Sequence, residues 1–202
     1  MTAALVMRNT PWIEGAFADY RTSIGERREI VLEDGSRVLL NTSSAVNVGF
    51  TADQRAVHFI EGEIMIATGH LQTEWLPFYV RTSQGLIQAL GTRFSVRQDQ
   101  NFTTVSVSEH AVMISLRESP ATQAKIFEGE GIRFTHNQFD AKRPVSQSAD
   151  GWTHGQIIAD DMALADFITE LNRYRCGVVR CGGDAAWLKI SGVFPHLTQT
   201  EF

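Results

Sequence analysis

The chain has 202 residues, 43% of them hydrophobic, enough to pack one large domain or two small ones. Its net charge of -5 leaves no basic footprint for nucleic acid. No run nears the roughly 20 apolar residues of a membrane span, and the bias of 15 Arg over 3 Lys reads as genome composition rather than function.

The first segment, Met1 to Met7, is apolar but short, and it lacks the basic start and cleavage site of a signal peptide. Residues 1–19 read as a stub ahead of the first domain. From 20 to about 140 the pattern is β-rich, with no convincing helical period. Short strands are predicted at Glu29–Leu32, Arg37–Leu40, Val46–Phe50, Ala56–Ile60, Glu63–Thr68 and Phe78–Thr82. More follow at Gly85–Ala89, Thr92–Arg97, Thr103–Ser108, Ala111–Leu116, Lys125–Phe127 and Gly131–Thr135. Apolar and polar residues alternate, most clearly at Val105, Val107 and then Val112, Ile114, Leu116. Turn signals recur at Asp34-Gly35, Glu61-Gly62, Gln84-Gly85 and Glu128-Gly129, and a polar bend, Asn-Thr-Ser-Ser, runs from Asn41 to Ser44. The spacing predicts stacked antiparallel hairpins in two sheets, a sandwich or a solenoid-like arrangement.

Residues 141–151 read as a linker, and beyond it residues 152–202 follow a different grammar. Gly155–Ala159 reads as a strand. Asp160 or Asp161 can then cap a helix with apolar positions Leu164, Phe167, Ile168, Leu171 and Tyr174. Cys176-Gly177 ends it, and Val178–Arg180 and Leu188–Val193 read as two further strands. Cys176 and Cys181 read as separate thiols, because an extended segment would hold them roughly 16 Å apart. Thr198 to Glu201 is a capping-box pattern, so the second module is expected to be cut inside its own fold.

Catalytic chemistry finds no foothold. The six histidines show no zinc spacing, and there is no nucleophile elbow, phosphate loop or dinucleotide fingerprint. Asp160-Asp161 reads as a helix start, and Glu61 with Glu63 as a solvated strand edge. No catalytic, cofactor or metal residue is assigned, and the chain is expected not to be an enzyme. For Trp152 the expected place is the join between the two domains. Trp187 stands open between core and interface. Leu188, Ile190, Val193 and Phe194 lie on a strand whose free edge could accept a partner's strand, or whose alternate residues could pack on the helix. Arg173, Tyr174 and Arg175 could meet an acidic partner or cap the helix end.

An ordered set of motifs runs through the chain: Glu33-Asp34-Gly35-Ser36 through Phe50, Gly62-Glu63, Pro77-Phe78, Val80-Arg81-Thr82, and Ala89-Leu90-Gly91-Thr92-Arg93-Phe94-Ser95-Val96. Trp152, Leu164, Arg173-Tyr174 and Ser191-Gly192-Val193-Phe194 continue it. The set resembles the periplasmic part of FecR-type regulators. The resemblance implies a single-pass inner-membrane protein of a Gram-negative bacterium, with a membrane helix and a cytoplasmic anti-sigma segment ahead of Met1. It also implies that residues 152–202 are part of a short βαβ signalling-type module. That module would bind the N-terminal signalling domain of a TonB-dependent outer-membrane receptor and relay iron or siderophore status to a cytoplasmic sigma factor. No small-molecule substrate and no cofactor are expected. The alternative is a periplasmic carbohydrate-binding β-sandwich, prompted by the four Trp.

Overall fold

The computed structural model describes residues 17–69, 76–146 and 148–195. Trp12, Trp75, His70, His196 and the Thr198–Glu201 capping-box pattern lie outside them. The first strands are β1 Tyr20–Arg21, β2 Arg28–Val31, β3 Arg37–Leu40, β4 Ala45–Phe50 and β5 Arg55–Ala67. Then come β6 Phe78–Arg81, β7 Gly85–Ala89, β8 Arg93–Gln98, β9 Thr103–Glu109, β10 Ala111–Leu116, β11 Gln123–Phe127, β12 Glu130–Phe134 and β13 Arg143–Pro144. Together they form one 13-stranded sheet that folds on itself. One half runs β1-β4-β5-β6-β7-β10-β11. The other runs β2-β3-β5-β8-β9-β12-β13. The buried alternate residues of both halves meet in a single core that includes Val57, Phe78 and Ile114 from one and Leu40, Phe94 and Phe134 from the other.

Strand β5 belongs to both halves, and Gly62 is the reason. Residues 55–61 pair with β4, and 62–67 pair with β8. At the crossing Gly62 takes φ +94, and a Cβ there would lie 2.6 Å from Ser44 Cα. Only glycine meets both demands at low cost. The Glu61-Gly62 turn expected from sequence is therefore a bend inside one long strand: glycine marks turns and mid-strand bends alike. After β5 the chain returns and β6 pairs with residues 55–58 in parallel, while the other pairs of this sheet are antiparallel. The other turn signals close hairpins, with Gly35 at φ 78 and Gly129 at φ 77. Asp34 also reaches inward, 2.7 Å from Arg55 Nη1 in a buried ion pair.

The second module begins with a 3-10 turn, Gly151–His154, and continues as β14 Gln156–Ala163, α1 Leu164–Leu171, a 3-10 extension Asn172–Tyr174, and β15 Lys189–Pro195. β14 and β15 pair antiparallel around a bulge between Ala159 and Met162, with Asp161 at φ 48. This revises the helix start. Both aspartates sit in this bulge inside β14, pairing with β15 resumes at Met162, and Ala163 occupies the N-cap with no side-chain bond. Val178–Arg180 is not a strand either. The Asn172 side chain accepts from Val179 N–H and donates to its carbonyl, both at 2.9 Å, and so occupies the groups a strand would pair. Both cysteines are free, and the stretch between them is not extended strand.

Candidate functional site

The Asn41–Ser44 bend is the place where the two parts of the molecule meet. Asn41, Thr42 and Ser44 are polar yet buried, so each needs a partner. Ser44 Oγ donates to Glu63 O at 3.0 Å, and Thr42 Oγ1 accepts from Gly25 N–H at 2.8 Å. The remaining capacity goes to the second module. Thr42 Oγ1 donates to Arg173 O at 2.9 Å, and Asn41 Nδ2 donates to Tyr174 Oη at 2.8 Å. The second Nδ2 hydrogen of Asn41 goes to Glu63 Oε2 at 2.8 Å. A polar loop, which a hydrophobic core would exclude, thus becomes a fitted seat for the end of α1.

Charge completes the seat. Arg173 Nη1 lies 2.9 Å from Glu63 Oε2 and 2.5 Å from Glu170 Oε1, and Arg97 Nη1 lies 2.9 Å from Glu170 Oε2. Two carboxylates and two guanidiniums alternate across the joint. Burial alone would push the Glu170 carboxyl up, but the Arg173 and Arg97 guanidiniums outweigh it and hold it below its ordinary value. Burial likewise opposes the Arg173 charge, and Glu63 with Glu170 reverse that, raising it above its ordinary value. Burial, then the Glu170 carboxylate, pushes the Tyr174 phenol up. Away from this cluster, Arg27 Nη1 donates to the carbonyls of Trp152 and Thr153, each at 2.9 Å, and Ser108 Oγ donates to Asp150 Oδ2 at 3.0 Å.

Beside the polar seat is an apolar one. Trp152, 5% exposed, clusters with Met65, Ile157 and Tyr174, and Leu39, Phe167, Leu171 and Phe194 pack around them. Met65 and Leu39 come from β5 and β3; the rest come from the second module. On strand β3, Val38 and Leu40 point into the first core and Leu39 points out to this second one, as the period of two requires. Trp152 is therefore covered, and offers no open ring to a sugar.

The residues singled out from sequence divide into two groups. Arg173 and Tyr174 lie in the seat, where Arg173 pairs with Glu63 and Tyr174 with Asn41 of the same chain. The other group is on or near β15. Trp187 is 71% exposed, Val193 58% and Leu188 44%. Ile190 and Phe194 are half-buried, with the Phe194 ring 4.7 Å from Phe167. β14 and β15 form a two-stranded sheet, so β15 has an unpaired edge among the described residues. Glu63 reads from sequence as part of a solvated strand edge, and the fold instead buries it against Arg173. For Asn41 and Thr42 the sequence signal is a polar bend set among strongly apolar strands, and Arg97 and Glu170 carry none. Among the described residues no cluster of His, Cys, Asp and Glu could hold a metal ion, and no helix is long and apolar enough to cross a membrane.

Residues 18–113 match the model of the FecR protein family. Two crystal structures of "a putative anti-sigma factor" from Parabacteroides distasonis ATCC 8503 share the fold. One has a TM-score of 0.70 at 23% identity, covering 88% of this chain and 84% of that one. The other has a TM-score of 0.67 at 23% identity, covering 89% and 85%. The sequence matches no curated protein.

Proposed function

We propose that residues 18–113, which match the FecR family model, form a FecR-type domain and that this chain is the signal-receiving region of an anti-sigma regulator. The regulator is a single-pass inner-membrane protein, this region lies in the periplasm, and the sigma factor is met by a cytoplasmic segment outside the chain. Residues 20–140 are the FecR-type domain, and 152–202 belong to the module that meets the signal. The signal is the N-terminal signalling domain of a TonB-dependent outer-membrane receptor, reporting iron or siderophore status. No catalysis or cofactor enters, and signalling requires only that binding differ between two receptor states.

The observation that carries this reading is the division of labour in the second module. One side is fastened to the FecR-type domain through Trp152, Arg173 and Tyr174. The other presents the unpaired edge of β15 with Trp187, Leu188 and Val193 exposed. A strand from a partner can add to such an edge, its backbone supplying hydrogen bonds and the apolar side chains supplying selectivity. The test is titration calorimetry of the chain against the receptor signalling domain. The expected result is saturable one-to-one binding, weakened about tenfold or more by Val193→Asp with the fold intact. Val193 is the cleaner probe, since Phe194 also packs on Phe167. A flat titration with folded protein rejects the reading.

A further inference from the structure

A cleft of about 650 Å³ opens between the outer face of the β5-β8-β9-β12 sheet and the second module. Its size and its position at a domain boundary are those of ligand sites. The floor carries the hydroxyls of Ser95, Thr104 and Ser106, and none of the three has a hydrogen-bond partner among the described residues. At its edge Arg133 lies with its guanidinium carbon 4.1 Å from the centre of the Phe102 ring. No carboxylate among the described residues pairs with it. A second cavity of about 170 Å³ shares Thr104, Ser106 and Arg133 and continues to Arg143, which is also without an ion-pair partner among the described residues. The buried indole N–H of Trp152, in the wall of the larger cleft, has no acceptor among the described residues.

The charges sort cleanly. Glu63 and Glu170 are neutralised by Arg173 and Arg97, and Asp99 lies 3.7 Å from Arg97. Asp166 and Asp140 have no ion-pair partner among the described residues but are exposed, free to turn into water. Arg133 and Arg143 remain as cations in search of a counter-charge. They also share a face: Arg143 pairs with Gly131, two residues before Arg133 on the same strand. Such diagonal neighbours stand about 7–8 Å apart. In an extended peptide, side chains two residues apart are separated by about 7 Å.

We propose that this cleft binds an extended acidic peptide segment of a partner protein. Carboxylates at alternate positions pair with Arg133 and Arg143, and the peptide backbone hydrogen-bonds the Ser and Thr hydroxyls of the floor. Phe102 holds Arg133 in place, which lowers the ordering cost of a bidentate carboxylate contact. The chain's overall charge of -5 gives an acidic peptide no general attraction, so binding must come from this local pair. The proposal rests on the cleft alone and is independent of the β15 edge.

The experiment is fluorescence anisotropy of the whole chain with a dye-labelled Ser-Glu-Ser-Glu-Ser-Glu-Ser peptide. The expected result is saturable binding that weakens as salt rises towards about 1 M, where the screening length falls to about 3 Å. Arg133→Gln weakens it about tenfold, and Arg143→Gln weakens it less. Arg37→Gln, which removes an exposed arginine paired with Glu29 elsewhere on the molecule, leaves it unchanged. Arg133 is exposed, so the variant keeps its fold, as circular dichroism checks. No saturation, equal binding of the peptide with Gln for Glu, or indifference to Arg133→Gln overturns the proposal. So does a neutral glucan oligosaccharide that binds where the peptide does not.

Discussion

At the scale of single residues the joint is an electrostatic device, and Arg173 is its centre. Its guanidinium separates the Glu63 and Glu170 carboxylates, whose side chains are only 11% and 23% exposed. Removing a cation from such a site leaves buried negative charge without its main partner, a loss that outweighs any single hydrogen bond. Arg173→Met is expected to destabilise the protein by about 3 kcal/mol in denaturant unfolding, with Arg97 still holding part of Glu170. An unchanged midpoint would mean that the ion pairs do not hold the joint. Tyr174→Phe is milder. It deletes one acceptor for Asn41, which keeps Glu63, and the expected cost is about 1–2 kcal/mol. The acid side has a defined sign. Glu170 is held below its ordinary value of 4.5 in the fold, so its contribution is fully present above that value and is lost as pH falls through the folded one. Stability should therefore decline below pH 4.5 in the native chain. Glu170→Gln should flatten that decline in a pH series of thermal midpoints, and an unaltered slope would assign acid sensitivity to other carboxylates.

At the scale of elements, legibility followed the range of the interaction. Arg37–Leu40, Gly85–Ala89 and Ala111–Leu116 were readable to the residue because alternation is written into adjacent positions. What failed depended on distant partners. Asp160-Asp161 reads as a helix start, but β15 pairs with β14 on both sides of it and leaves it a bulge within the strand. Val178–Arg180 had strand-like residues but lost its backbone groups to Asn172. Arg173 and Tyr174 were recognised as special without a hint that their partners lie more than 100 residues away at Asn41 and Glu63. Gly62 belongs to the same lesson: its sequence context signals a turn, and the fold uses it as a bend inside a strand. Its true role makes a sharp prediction. Gly62→Ala must place a methyl against Ser44 and Ser43 and force an L-residue to φ +94. Strain and overpacking together are expected to cost about 3 kcal/mol or more. Gly129→Ala, at a hairpin turn with nothing within 4 Å, bears only the conformational part, about 1 kcal/mol. Equal midpoints for the two variants would remove Gly62 as the hinge between the sheet halves.

At the scale of the molecule the two parts are unequal. The β-body closes a core drawn from both halves of its sheet and needs nothing from residues 148–195 to do so. The second module has the opposite character. It has two strands, a helix of eight residues with no buried side chain of its own, and a cluster completed by Met65 and Leu39 of the body. A lone hairpin is marginal in water, and so is a helix of this length. The module's order is therefore borrowed from the surface on which it sits. Trp152 is the largest item in that loan. Truncating a buried Trp costs about 3–5 kcal/mol where the surroundings cannot collapse. That exceeds what a hairpin and a short helix can retain, so Trp152→Ala is expected to release the module and leave the body folded. Hydrogen exchange separates the two events. Amides of β14, α1 and β15 should lose protection together, while those of β5, β8 and β10 keep theirs. Uniform loss across both parts would mean one cooperative unit, with the body depending on the module. Continued protection of β14 and β15 would mean that the module carries its own stability. Under the expected result, any force or partner acting on β15 is passed to the β-body through a joint of known composition, Trp152 on its apolar side and Arg173 with Tyr174 on its polar side.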